Sequence, residues 1–159
     1  MRNLPLSVKI IISVVVCLAV GFLSGTSTVT SINSWYATLN KPFFNPPNWL
    51  FGPVWTILYI MMGVAFALVW HRGFGLTTQK SALLFFVAQF ILNALWSIVF
   101  FGMQSPIFGL VVIVSLLVLL IFTFKKFKEI DNLSGNLLIP YICWVSFATI
   151  LNLSIVILN

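Results

Sequence analysis

Charge is what this chain has least of. Only 6% of its 159 residues are Asp, Glu, Lys or Arg, against about 25% in soluble globular domains. So little charge cannot coat a water-facing surface. With 61% hydrophobic residues and a mean hydropathy of +1.14, the solvent around most of the chain is lipid. Acids are scarcest: Glu129 and Asp131 are the two, and they stand beside Lys125, Lys126 and Lys128, where a solvated surface is expected. There is one histidine, His71, and no His, Cys, Asp or Glu pair at metal-ligand spacing. Gly73 and Gly75 flank a turn and build no phosphate loop. These absences exclude a conventional hydrolase, kinase or metalloenzyme, and a charged relay inside the membrane. The net charge of +6 does not indicate nucleic acid, because the basic residues lie between apolar blocks and form no continuous face. Cys17 and Cys143 sit inside apolar segments with no CxxC pairing, so no structural disulfide is expected.

What the chain has is long apolar runs. A bilayer core of about 30 Å needs about 20 apolar residues in a helix. Five segments qualify, near residues 6–24, 49–70, 81–101, 106–124 and 135–158. The expected fold is all-α, a single domain (1–159) forming a membrane bundle of five transmembrane helices. Residues 81–124 carry no charge and are too many for one crossing; Gly102, Gln104, Ser105 and Pro106 mark the turn. Arg2 and Lys9 before the first run resemble a signal peptide, but no clear small-residue cleavage site follows, and the run reads as a retained span. Arg2, Lys9, Arg72, Lys80, Lys125, Lys126 and Lys128 fall on one side of the membrane and Lys41 on the other. Seven against one predicts a cytoplasmic N-terminus, with loop 1 and the C-terminus outside.

Loop 1, residues 25–48, is the one long connection. Its Trp35, Tyr36, Phe43, Phe44, Pro42, Pro46 and Pro47 are not the composition of a disordered segment, and predict a short helix over 31–39 followed by a proline-stiffened lid. Three helical stripes stand out: Phe51, Trp55, Tyr59, Gly63 and Phe66 in span 2; Gln89, Asn93, Trp96 and Phe100 in span 3; Tyr141, Trp144, Ala148 and Asn152 in span 5. Converging, they would line a small-molecule pocket. Rings at helical spacing also serve as packing, Trp49 and Trp70 suit an interfacial belt, and the amides could be interhelical hydrogen bonds worth about 0.6 kcal/mol each. Gly21 and Gly25 form a GxxxG in span 1, a common helix-packing motif.

The motifs Trp35-Tyr36-x-x-Leu39-x-Lys41-Pro42, Asn45-Pro46-Pro47-x-Trp49 and Gly52-Pro53-Val54-Trp55-x-x-Leu58-Tyr59 resemble the signature of the tryptophan-rich sensory protein/translocator protein family, also called TspO/MBR or the peripheral benzodiazepine receptor. Gln89-x-x-x-Asn93-x-x-Trp96 with Phe100-Phe101-Gly102 is similar to that family's third span. Pro140-Tyr141-x-x-Trp144-x-x-Phe147-Ala148-Thr149-x-Leu151-Asn152 is similar to its fifth. The resemblance implies a five-helix bundle, often a homodimer, in a bacterial cell membrane. It implies a ligand site beneath loop 1 built from Tyr36, Pro46, Pro47, Phe51, Trp55, Tyr59, Gln89, Asn93, Trp96, Tyr141, Trp144, Ala148 and Leu151.

From this follows the expectation of a binding protein or transporter for tetrapyrroles (porphyrin or haem as ligand, with no obligatory cofactor) and related flat hydrophobic molecules, with a stress-sensing or regulatory role. Two alternatives stand beside it. One is light-dependent protoporphyrin breakdown with Trp55 or Trp144 as redox-active rings; the other is a regulatory interaction protein with no transported substrate. Lys41 could meet a ligand carboxylate at the mouth. The family's animal members end span 5 with a cholesterol motif of Leu or Val, Tyr and a basic residue. Here Leu153 stands where that Tyr would fall and no basic residue follows, which argues against specific cholesterol binding.

Overall fold

The computed structural model describes residues 4–159; Arg2, which carries part of the charge argument, lies outside them. The chain folds into α1 (Leu6–Ser31), α2 (Trp35–Thr38), α3 (Asn48–Arg72), α4 (Thr77–Ser97), a π-turn (Ile98–Gly102), α5 (Pro106–Ile130), α6 (Asn132–Leu137) and α7 (Ile139–Leu158). Among the described residues, five helical stretches are long and apolar enough to cross a membrane: α1, α3, α4 with its π-turn, α5, and α6 with α7. Helices satisfy every backbone group within the segment, as lipid requires.

The helices close a ring. α3 lies between α1 and α6, α5 lies between α4 and α7, and α4 with its π-turn returns to α1. Met62, Ile113, Leu116, Leu120, Tyr141, Val145 and Ile155 are fully buried along the middle. At the end where α3 turns into α4, Phe86 stacks on Phe66 at 4.6 Å, on Phe127 at 5.6 Å and on Phe90 at 5.7 Å. There Arg72 pairs with Asp131 at 2.9 Å, tying the end of α3 to the start of α6. Lys9 is buried, with Nζ 5.4 Å from the centroid of the Trp70 ring.

The expected start of loop 1 at residue 25 is corrected: α1 continues to Ser31. Its polar last turns look like loop in the sequence, but the hydroxyls bond back to the helix. Thr26 Oγ1 donates to Leu23 O at 2.7 Å and Thr30 Oγ1 to Thr26 O at 3.1 Å. The helix predicted over 31–39 is one turn, α2, stopped where Leu39 turns extended (φ −74°, ψ 146°).

Loop 1 is folded down over the bundle. Tyr36 is buried, with Phe51 at 6.5 Å, Phe100 at 6.1 Å and Phe101 at 5.5 Å from its ring. Its hydroxyl donates to Asn45 Oδ1 at 2.6 Å, and burial pushes the phenol up to about 12. Asn40 and Asn159 clasp each other: Asn40 N donates to Asn159 Oδ1, and Asn159 Nδ2 to Asn40 O, both at 2.9 Å. Phe44 reaches Phe147 of α7 at 6.1 Å.

Candidate functional site: a cavity between α1, α3 and α4

α1 and α3 pack closely over one half of their length and part over the other. In the close half, a Cβ on Gly63 would stand 2.7 Å from the Val14 backbone, and one on Gly21 would stand 2.3 Å from the Tyr59 ring. Toward loop 1 the helices diverge, and a Cβ on Gly25 or Gly52 would meet nothing within 4 Å. The space between is a cavity of about 800 Å³, lined by α1 from Leu18 to Thr30, by Ile32, by α3 from Asn48 to Tyr59, and by Asn93, Trp96, Ser97 and Phe101 of the third span. Residues 18–32 cover about 21 Å at 1.5 Å per residue. The site is therefore a tall slot, from mid-bundle up to loop 1.

Rings form one wall. Trp55 lies 5.8 Å from Tyr59 and 6.2 Å from Trp96, and Trp96 stacks on Phe100 at 5.5 Å. Trp96 is held by its Nε1 donating to Asn152 Oδ1 at 3.3 Å, and Asn152 in turn donates to Pro106 O at 2.8 Å. The deep end is polar. Tyr59 Oη donates to Asn93 Oδ1 at 2.5 Å, Asn93 Nδ2 donates to Tyr141 Oη, and Tyr141 Oη donates to Gln89 Oε1 at 3.0 Å. Asn93 carries two N–H donors and two acceptor lone pairs, so this chain leaves it one of each.

Hydroxyls lace the seam between α1 and the third span. Ser97 Oγ donates to Ser24 O at 2.9 Å and shares a 2.8 Å bond with Thr28 Oγ1, while Ser31 Oγ donates to Phe101 O at 2.8 Å. The last bond falls on the π-turn, where Met103 N reaches back five residues to Ile98 O at 2.8 Å. Such turns recur at functional sites.

Of the residues singled out from the sequence, Phe51, Trp55, Tyr59, Asn93 and Trp96 line this cavity. Gln89 and Tyr141 are fully buried behind it in the amide–phenol chain. Tyr36, Ala148 and Leu151 meet Phe51 and Trp96 in a joint with only about 10 Å³ of free space, which closes the site from above. Trp144 is 6.1 Å from Phe51 but borders a separate, shallow apolar groove with Val54, Ile57, Leu58, Met61, Pro140 and Cys143. Its Nε1 is buried with no hydrogen-bond partner among the described residues. Pro46 and Pro47 lead into α3, Pro47 as its N-cap, and line neither space. Lys41 does not face the cavity: its Nζ donates to Tyr36 O at 2.9 Å and Leu39 O at 2.8 Å, capping α2.

Sequence reading did not assign span 1 to the site. Its cavity face is Gly21, Ser24, Gly25 and Thr28, with Phe22 and Val29 at the outer edge, and it has no tryptophan or amide to draw attention. The recurrence of small and hydroxyl residues at helical spacing is the signal that was there. The site contains no charge, and no His, Cys, Asp or Glu lines it among the described residues. A carboxylate at the deep end would be desolvated without a partner, at a cost of several kcal/mol.

Residues 13–158 match the profile of the TspO/MBR family. The chain is 48% identical over 143 residues to the tryptophan-rich protein TspO of Chlorobaculum tepidum, covering 90% of each sequence. It is 43% identical to the tryptophan-rich protein TspO of Archaeoglobus fulgidus, covering 95% of this chain and 97% of that one. It is 36% identical to the translocator protein of Homo sapiens, over 74% of this chain and 70% of the human sequence.

Proposed function

Because the chain belongs to the TspO/MBR family as an integral membrane protein of five apolar helices, we propose that it binds tetrapyrroles, porphyrin or haem, in the α1–α3–α4 cavity, in a stress-sensing or transport role. The observation that carries this reading is the slot itself. A space of about 800 Å³ is walled by Trp55, Trp96, Phe51 and Tyr59, and ring-to-ring contact adds about 0.5–1.5 kcal/mol per pair beyond area burial. The macrocycle stands in the slot, its apolar edge toward Leu18 and Gly21. Its carboxylates sit at the loop 1 end beside Asn48 and Thr30, because at the buried deep end they would be desolvated without a partner. No imidazole, thiol or carboxylate of the lining is available to ligate iron, so the site fits the metal-free macrocycle as well as haem.

The same reading places the N-terminus in the cytoplasm and loop 1 outside, from the basic asymmetry of the loops.

Fluorescence titration of protoporphyrin IX into the protein in nanodiscs tests the site. Trp55→Leu lowers affinity at least tenfold, about 1.4 kcal/mol, while Trp144→Phe and His71→Ala change it less than twofold. Equal effects of Trp55→Leu and His71→Ala, with helical content unchanged, would remove the cavity from consideration.

A further inference from the structure

The cavity has three boundaries, and they are built differently. Above it, loop 1 is shut by packing and polar bonds: Tyr36 is buried in its joint, the Asn40–Asn159 clasp joins the loop to the end of α7, and Lys41 is bonded to α2. On the side facing α4, the three hydroxyl bonds of Ser97, Thr28 and Ser31 close the seam. Between α1 and α3 the divergent half is bridged, among the described residues, only at its loop 1 end, where Asn48 Nδ2 donates to Asn33 Oδ1 at 3.3 Å just beyond α1. The lining residues there are open to the outside of the bundle: Phe22 is 78% exposed, Val29 75% and Trp49 71%. By contrast Asn93, Trp96, Ser97 and Phe101, the opposite wall, are buried. Phe22 lies in the apolar run of a helix long and apolar enough to span, so in a bilayer it would face acyl chain rather than water.

We propose that the cavity is loaded sideways, from the lipid leaflet on the loop 1 side, through the mouth between α1 and α3, and that it takes a planar amphiphile already dissolved in the bilayer. This rests on the cavity being the ligand site. Gly25 sets the width of the mouth. It faces the open slot from α1, and its missing side chain leaves a gap that no neighbour fills. Gly52 does the same from α3. The two glycines let a flat ring system pass edge-on, where two leucines would close the gap. A molecule following this path keeps its apolar face in lipid or against Trp55 throughout, and its polar edge stays level with Asn48 and Thr30. It never crosses water, and loop 1 need not open.

The experiment compares the two routes in one protein. Asn40→Cys and Asn159→Cys are combined in a Cys143→Ser background, so that oxidation welds loop 1 to α7 and reduction frees it. Protoporphyrin IX carried in the nanodisc lipid is the probe, and quenching of protein fluorescence gives association and dissociation rates. Expected are association rates within twofold for the oxidised and reduced forms, and at least tenfold slower association for Gly25→Leu. Asn159→Ala, which removes the clasp without a crosslink, likewise stays within twofold of wild type and answers the question if the disulfide does not form. A tenfold loss on oxidation restored by reduction, or a tenfold gain in Asn159→Ala, would make loop 1 the door and overturn the lateral route. Absence of porphyrin binding in the wild-type protein would instead overturn the tetrapyrrole reading, and the route with it.

Discussion

Gly21 and Gly25 are one helical turn apart, look alike in the sequence, and should respond oppositely to alanine. At Gly21 the new Cβ would stand 2.3, 2.5 and 2.8 Å from three carbons of the Tyr59 ring, where comfortable carbon contacts are about 3.5–4.0 Å. The ring would have to retreat by more than about 1 Å. It is not free to do so, because its hydroxyl is bonded to Asn93 Oδ1 at 2.5 Å and a shift of that size takes the pair beyond hydrogen-bond range. Overpacking costs about 1–3 kcal/mol and the lost membrane hydrogen bond about 0.6 kcal/mol. The better helix propensity of alanine offsets about 1 kcal/mol, leaving a net loss of about 0.6–2.6 kcal/mol. Gly25→Ala meets nothing and retains the propensity gain, so the two variants should differ by about 1.6–3.6 kcal/mol. Unfolding in mixed micelles with rising SDS fraction, followed by circular dichroism, measures the difference. Equal stabilities, or Gly25→Ala as the weaker, would refute the idea that Gly21 serves contact inside the chain and Gly25 serves the cavity.

Three further outcomes follow from the same geometry. Asn93→Leu should lose about 1 kcal/mol or more, since Tyr59 and Tyr141 each lose a partner worth about 0.6 kcal/mol; the same micelle titration checks it, and an unchanged midpoint would show the chain to be idle. The Asp131 carboxyl is held below its usual range, first by the hydrogen bond from Arg72 and then by the Ser134 amide. A depressed folded-state value means stabilisation that is present above about pH 4, the ordinary carboxylate range, and lost as pH falls through the lower folded value. The melting-temperature gap between wild type and Arg72→Gln should therefore narrow only below about pH 4, and a gap constant to pH 2.5 would exclude the ion pair as its source. For orientation, a cysteine in place of Asn33 should react with an impermeant thiol reagent on intact cells and one in place of Thr78 should not; the reverse pattern would invert the topology.

Five spans could be read directly, because helix length and apolar continuity are one-dimensional properties and Gly102–Pro106 punctuates the run that lacked charge. The end of α1 could not. Thr28 and Ser31 favour loops in the absence of a partner, and only the neighbouring span supplies Ser97 and the Phe101 carbonyl. For the site, the stripe through Phe51, Trp55 and Tyr59 and the stripe through Asn93 and Trp96 indicate the right faces. A stripe gives a direction from its own helix axis, though, and not the neighbour it meets. Tyr141 therefore shares the polar chain but not the cavity, and Trp144, on the same helix, points to another groove. The contribution of α1 is faint for a different reason: its glycines shape the site by what they omit, and only the recurrence of small and hydroxyl residues marks the face. Lys41 was legible as a charge near the mouth, but its bonds to the α2 carbonyls depend on where that short helix stops.

The joint around Tyr36 has a consequence for how the protein is made. Tyr36 leaves the ribosome early, yet its socket includes Ala148, Leu151 and Ile155 of α7, and Asn40 waits for Asn159, 119 positions later. Until α7 arrives, Tyr36 has Phe51, Phe100 and Phe101 to pack on, but the α7 side of its socket is missing. Contacts this distant in sequence form late, so docking of α7 is the event that seats the loop. A nascent chain arrested before α7 would expose its aromatic wall to whatever the membrane contains. Docking of α7 therefore sets when loop 1 can first close over the slot.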